Sequence, residues 1–221
     1  EVYNMDCMEY MKAVPVKLFE LAVGDPPYFD GPNKLGYYGK EISSFGIKRP
    51  AYKVKHWGIP LKRFFEELFR VSKEQIVWVV NYYPYGIFSS GRIVWNKVNG
   101  KSSFSDCEIA FCSMIDTVRM FAYMWTGMCQ GKSLKEGHLQ PVSLYASLIQ
   151  NYANPGDKIL DTHLGSGSSR KAAYKMGFDF YGTEIDKEYF DAQEKRFREE
   201  CLGEIRLRNG NVYVQKELFE L

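Results

Sequence analysis

The segment from Lys158 to Glu184, "KILDTHLGSGSSRKAAYKMGFDFYGTE", narrows the folding options more than any other part of the chain. It reads as a short strand, a glycine-rich turn, a helix closed by Gly177, and a second strand that ends on an acid. The same alternation runs through the rest of the sequence. Phe19 to Gly24 reads as a short buried strand, and "PLKRFFEELFRV" from Pro60 places Leu61, Phe64, Phe65, Leu68 and Phe69 on one helical face, with the proline suited to the first turn. "QIVWVVN", Gln75 to Asn81, is apolar and β-branched, as expected of a strand covered on both faces. "GRIVW", "DCEIAFCSM" and "DTVRMFAYMW" add strand-like pieces split by polar turns. Pro141 opens the helix "PVSLYASLIQNYA", and Asp186 is the expected N-cap of the last strong helix. Strands alternating with helices specify an α/β fold with a mostly parallel sheet.

Composition bounds what such a fold can be. With 221 residues, 45% hydrophobic and 25% charged, the chain suits one globular domain over residues 1–221. No apolar run approaches the ~20 residues of a membrane span, and no basic-then-apolar leader is visible, so a cytoplasmic protein with no membrane partner is expected. Five cysteines form no CxxC pair and three histidines are well separated, which predicts reduced thiols and no metal site.

A net charge of +2 hides an uneven distribution. Between Lys34 and Arg63 stand eight basic residues against one acid, Glu41, interleaved with Tyr37, Tyr38, Phe45, Tyr52 and Trp57. Residues 28–60 show little periodicity and many glycines, as in a long functional loop. Basic groups suit phosphates and exposed rings suit unstacked bases, so Lys34, Lys40, Lys48, Arg49, Lys53 and Lys55 are candidate nucleic-acid contacts. An ordinary solvated loop whose rings tuck onto the core accounts for the same composition.

Two motifs carry chemistry. In "DTHLGSGSS" the glycines let backbone approach a ligand closely. Glu184, 19 residues after Gly165, is placed to accept hydrogen bonds from ribose hydroxyls. Asp161, at the mouth of the turn, is suited to binding an amino group or to orienting the loop. The third glycine of the dinucleotide pattern is replaced by Arg170, which favours S-adenosylmethionine over a dinucleotide. The second motif, Asp25-Pro26-Pro27-Tyr28, follows a strand, where ligands of α/β sheets sit. Its prolines fix φ and donate no hydrogen bond, so nearby carbonyls stand as acceptors beside the Asp25 carboxylate. Two acceptors and a ring face suit an exocyclic amine on a flat heterocycle, with Tyr28 stacking on a base flipped out of a duplex. The absence of a Pro-Cys dipeptide argues against a thiolate attack on cytosine C5.

With these motifs the sequence resembles the S-adenosylmethionine-dependent amino-methyltransferases of DNA, over Tyr3 to about Arg198, in the circularly permuted order that puts the catalytic motif before the cofactor motif. The resemblance implies a Rossmann-like sheet with one antiparallel strand, a homodimer, and a bacterial or phage-infected cell. It implies catalytic roles for Asp25, Pro26, Pro27 and Tyr28, and cofactor contacts from "NMDCMEYM" through Asp6 and Cys7. Asp25, Asp161, His163, Gly165, Ser166, Gly167, Glu184 and Ile185 complete the implied cofactor set. It further implies a small target-recognition region at about residues 96–137. His163 stands where the family often has phenylalanine, and His138-Leu139-Gln140-Pro141 is shorter than the usual pattern there. The aspartate form of the catalytic tetrapeptide points to adenine N6 in double-stranded DNA. Cytosine N4, an RNA or protein amide, and a non-catalytic DNA-binding subunit are the competing readings.

Overall fold

The computed structural model describes residues 1–28, 58–98, 105–124, 141–206 and 211–214. Eight strands form one sheet: β1 (Val2–Tyr3), β2 (Phe19–Gly24), β3 (Ser72–Val77), β4 (Arg92–Asn96), β5 (Cys107–Cys112), β6 (Val118–Ala122), β7 (Lys158–Asp161) and β8 (Asp179–Thr183). Their spatial order is β1-β8-β7-β2-β3-β5-β4-β6. Neighbours from β1 to β3 pair in parallel, β5 runs against both β3 and β4, and β6 lies parallel to β4. The expected parallel sheet with one antiparallel strand is the observed one.

Helices α1 (Cys7–Ala13), α2 (Lys62–Val71), α3 (Val142–Tyr152), α4 (Ser168–Lys175) and α5 (Lys187–Cys201) accompany the sheet. Asp6 caps α1 by accepting from the Met8 amide, and Asp186 caps α5 by accepting from Glu188 and Tyr189, satisfying amides the helix leaves open. A small hairpin, β9 (Glu204–Arg206) with β10 (Val212–Val214), follows α5.

Two sequence expectations shift. On α2, Phe64, Phe65 and Leu68 are buried, but Leu61 is 57% exposed because the helix begins after it, at Lys62. The strand expected to reach Asn81 ends at Val77. Val79 adopts φ 53° and the chain enters a 3-10 turn at Val80–Tyr82. A β-branched residue disfavours that left-handed conformation, so the apolar run gives no sign of the break. The bend brings Tyr82 and Tyr83 back toward the end of β2.

Phe19, Leu21, Val23, Ile76, Val77, Ile159 and Leu160 fill the sheet interior. Over β3 and β5 the core becomes aromatic. Phe65 is fully buried, with ring centroids 4.8 Å from Tyr83, 5.3 Å from Phe88 and 5.7 Å from Tyr85. Phe65→Ala is therefore expected to cost about 3–5 kcal/mol, lowering the melting midpoint by roughly 2–4 °C per kcal/mol. Thermal unfolding checks this, and a change under about 1 kcal/mol would show that the aromatic cluster repacks without Phe65.

Candidate active site

Strands β7 and β2 are sheet neighbours, yet the chain leaves them in opposite directions: β7 leads through α4 to β8 on one side, and β2 leads to β3 on the other. Such a reversal opens a crevice beyond the carboxyl ends of the two strands. Both motifs sit at that crevice. The register Leu21↔Ile159 and Ala22↔Leu160 carries Gly24 to the level of Thr162, and a Cβ placed on Gly24 would lie 3.5 Å from the Thr162 hydroxyl. Because β1, β8, β7, β2 and β3 all run the same way, Asp161, which ends β7, and Asp6, Asp25 and Glu184, which follow their strands, lie at one end of the sheet.

The glycine-rich loop is tied down by carboxylates. Asp161 accepts from the His163 amide at 2.9 Å and from the Ser169 hydroxyl, so it orients the loop. Burial raises its carboxyl to about 6, with the two hydrogen bonds opposing the rise. Glu184 accepts from the Gly165 amide with one oxygen and from the Asp186 amide with the other, both at 2.9 Å. A carboxylate oxygen accepts more than one hydrogen bond, so holding these two amides is compatible with accepting from a diol. Gly167 has φ 73°, and a Cβ there would meet Gln193 at 3.1 Å. Glycine suits both the dihedral and the approach of α5. The Ser166 carbonyl accepts from Arg196 of α5 at 3.0 Å.

Around the loop, His163 is pushed down to about 4 by burial, with Asp6 pulling the other way, and is neutral at physiological pH. Its ring meets Phe64 edge-on at 5.3 Å, a contact from α2 that no sequence motif announces. Cys7 is pushed up to about 12 by burial, with Asp6 and Glu184 adding repulsion, and is therefore an inert thiol. Asn4 of the β1 end donates to the Glu184 and Ile185 carbonyls at 2.7 and 3.3 Å. Asp6, Cys7, His163 and Glu184 thus share one electrostatic neighbourhood at this edge.

On the β2 side, the Tyr83 hydroxyl donates to the Pro26 carbonyl at 2.8 Å and lies 3.3 Å from the Pro27 carbonyl. It holds the two acceptors in place and leaves each a second lone pair. Tyr28 and Tyr82 bring their ring centroids to 5.1 Å. The Asp25 carboxyl is held well above the ordinary carboxylate range, first by burial, then by Glu108 and Asp161, with Lys97 opposing. Tyr145 of α3 lies buried facing Asp161, Asp25 and Glu108, and its hydroxyl is pushed well up. Tyr83, Tyr82, Tyr145 and Glu108 had no signature in the sequence, because each reaches the site from a distant element.

The basic positions Lys34, Lys40, Lys48, Arg49, Lys53 and Lys55 lie outside the described residues. In the region at about 96–137, β5 and β6 belong to the main sheet, and 99–104 and 125–140 lie outside the description. Among the described residues, no group of three or more His, Cys, Asp or Glu could hold a metal ion, and no helix is long and apolar enough to cross a membrane.

Comparison with known proteins agrees with this geometry. A family model described as DNA methylase, of the N6/N4 type, matches residues 124–195, about a third of the chain. The type II methyltransferase M.HinfI of Haemophilus influenzae is 25% identical over 243 residues, 88% of this chain and 67% of that protein. M2.DpnII of Streptococcus pneumoniae is 21% identical over 244 residues, 89% of each. Among solved structures, M1.HpyAVI in complex with SAM matches with TM-score 0.57 at 18% identity, over 89% of this chain and 98% of that one. The cytosine-N4-specific PvuII DNA methyltransferase also gives 0.57, at 13% identity, over 89% and 86%. The fold is that of Rossmann-like methyltransferases, and the DNA methylase model matches residues 124–195.

Proposed function

We propose that the chain transfers a methyl group from S-adenosylmethionine to the N6 amine of an adenine flipped out of double-stranded DNA. The observation that carries this reading is the meeting of two motifs at neighbouring strand ends: the Asp25–Tyr28 acceptors and ring, and the Gly165–Gly167 turn clamped by Glu184. These residues fit a nucleoside cofactor. Glu184 would take the ribose hydroxyls, the Gly165–Gly167 backbone with Ser166 would flank the amino-acid portion, and Asp6, Cys7, His163 and Ile185 would line the base.

When bound, the cofactor supplies an electrophilic methyl group on a sulfonium, released as a neutral thioether. The chain's own residues prepare the acceptor. An exocyclic amine is a poor nucleophile because its lone pair is delocalised into the ring. Asp25 and the Pro26 carbonyl accept its two N–H hydrogens, which draws the nitrogen toward tetrahedral geometry and frees the lone pair. Tyr28 stacks on the base. Asp25, whose proton affinity is raised by burial and by Glu108 and Asp161, takes the proton that the amine sheds. No thiolate or covalent enzyme intermediate is involved.

The test is label transfer from methyl-labelled S-adenosylmethionine, offered with unmethylated duplex DNA, RNA or protein. The reading expects label in duplex DNA. Label confined to RNA or protein would contradict the substrate class. The basic, aromatic segment ending near Arg63 is the proposed DNA clamp. Reversing charge at Lys53 and Lys55 is expected to weaken DNA binding and to flatten its log–log salt slope by about 0.9 for each phosphate no longer neutralised. An unchanged slope would move the DNA-binding surface elsewhere.

A further inference from the structure

A pocket of about 100 Å³ opens beside the catalytic motif, lined by Tyr28, Val79, Tyr82, Lys97, Glu108 and Ile109. Lys97 follows β4 and Glu108 lies on β5, and their ion pair closes at 2.6 Å with side chains only 10% and 14% exposed. The Lys97 ammonium also lies 5.4 Å from the centre of the buried Trp95 ring. A buried ion pair stabilises a fold little, because desolvation cancels most of its attraction. Two β-branched residues hold left-handed backbone next to this pocket: Val79, φ 53°, in its lining, and Val98, φ 49°, directly after Lys97. Strain of that kind collects at functional sites. Packing alone would select neither a buried charge pair nor two left-handed valines.

We propose, resting on the methyltransferase reading above, that Lys97 and Glu108 read the Watson–Crick edge of the flipped base. Adenine and cytosine both present an amine donor beside a ring-nitrogen acceptor. Guanine and thymine present the reverse, a carbonyl acceptor beside a ring N–H. Lys97 donates to the ring nitrogen, and Glu108, paired with it, holds the ammonium there, while the amine keeps its acceptors Asp25 and the Pro26 carbonyl. The pair therefore admits amino bases and rejects keto bases, a selection made where Tyr28 stacks. The electrostatic coupling of both residues to Asp25 agrees with their closeness to the reacting nitrogen.

The test uses the full chain, S-adenosylmethionine and methyl-free duplex DNA of mixed sequence. In the double variant Lys97→Met/Glu108→Leu, apolar side chains of similar size replace the pair, a change buried ion pairs tolerate. It is expected to melt no lower than wild type, to bind cofactor within about twofold, and to lose about tenfold to a hundredfold in kcat/KM for DNA, as for hydrogen bonds to charged groups. Unchanged kcat/KM would overturn the proposal. Glu108→Gln keeps the shape and serves if the double variant does not fold. Removing the like charge facing Asp25 is expected to move the acidic limb of the pH–rate profile to lower pH, with kcat/KM reduced; Asp161, Lys97, Tyr83 and Tyr145 remain around that carboxyl. An unmoved limb with unchanged rate would make the pair purely structural. Cofactor binding by the wild type without any methylated DNA base would overturn the methyltransferase reading and this inference together, whereas wild-type methylation with an indifferent double variant would overturn this inference alone.

Discussion

Asp25→Ala is expected to lower methyl transfer at least about a thousandfold, with cofactor affinity within a few fold of wild type. Asp25 sits at the end of β2 beside the Pro26 carbonyl, while the loop clamp belongs to Glu184 and Asp161 on the other side of the crevice. Calorimetric titration with S-adenosylmethionine, run beside single-turnover transfer, separates the two roles. Loss of both together would assign Asp25 to cofactor binding instead. The isosteric Asp25→Asn carries a stability consequence. The carboxyl is raised in the folded protein, so its contribution to stability is complete below the unfolded value of about 3.9 and is lost as pH rises through the folded value. Asp161, raised to about 6, adds a loss of the same sign between about 3.9 and that value. At pH above its raised folded value Asp25→Asn is expected to melt higher than wild type, by roughly 2–4 °C for each kcal/mol relieved. A lower midpoint at pH 7–8 would mean that the ionised carboxylate is favourably paired.

Glu184→Ala is expected to weaken S-adenosylmethionine binding by about a hundredfold or more, the loss of two hydrogen bonds to a charged acceptor. The change also releases the Gly165 and Asp186 amides from their shared carboxylate. Glu184→Gln keeps one acceptor oxygen and should fall between alanine and wild type. Binding of DNA without cofactor should be unaffected, since the role proposed for Glu184 is toward the cofactor and not DNA. Unchanged cofactor affinity in Glu184→Ala would remove the ribose role from this acid.

The parts of the site that the sequence made legible are those written locally. Asp25-Pro26-Pro27-Tyr28 follows its strand directly, and the Gly165–Gly167 turn lies between a strand and a helix whose periods are plain. Glu184 and the Asp186 cap were equally local. What stayed hidden depends on distant pairing. Tyr83 is one of three tyrosines in "NYYPY", and only the left-handed turn at Val79 aims it at the Pro26 carbonyl. Valine does not signal such a turn, so the apolar run read as strand through Asn81. Lys97 and Glu108 meet because β4 and β5 pair with Trp95 opposite Glu108, and register between strands is not a property of either segment alone. Asp161 was open to two roles in sequence, and its bonds to the His163 amide and the Ser169 hydroxyl fix it as the loop's anchor.

The accepting atom proposed for this site is an exocyclic amine of a DNA base. The most direct test is incubation with S-adenosylmethionine and unmethylated duplex DNA, followed by digestion to nucleosides and mass spectrometry, with Asp25→Ala in parallel. N6-methyladenine is expected from the wild type and none from the variant. N4-methylcytosine would keep the amine chemistry and correct the base, whereas 5-methylcytosine, or no methylated base from a protein that binds the cofactor, would contradict the account.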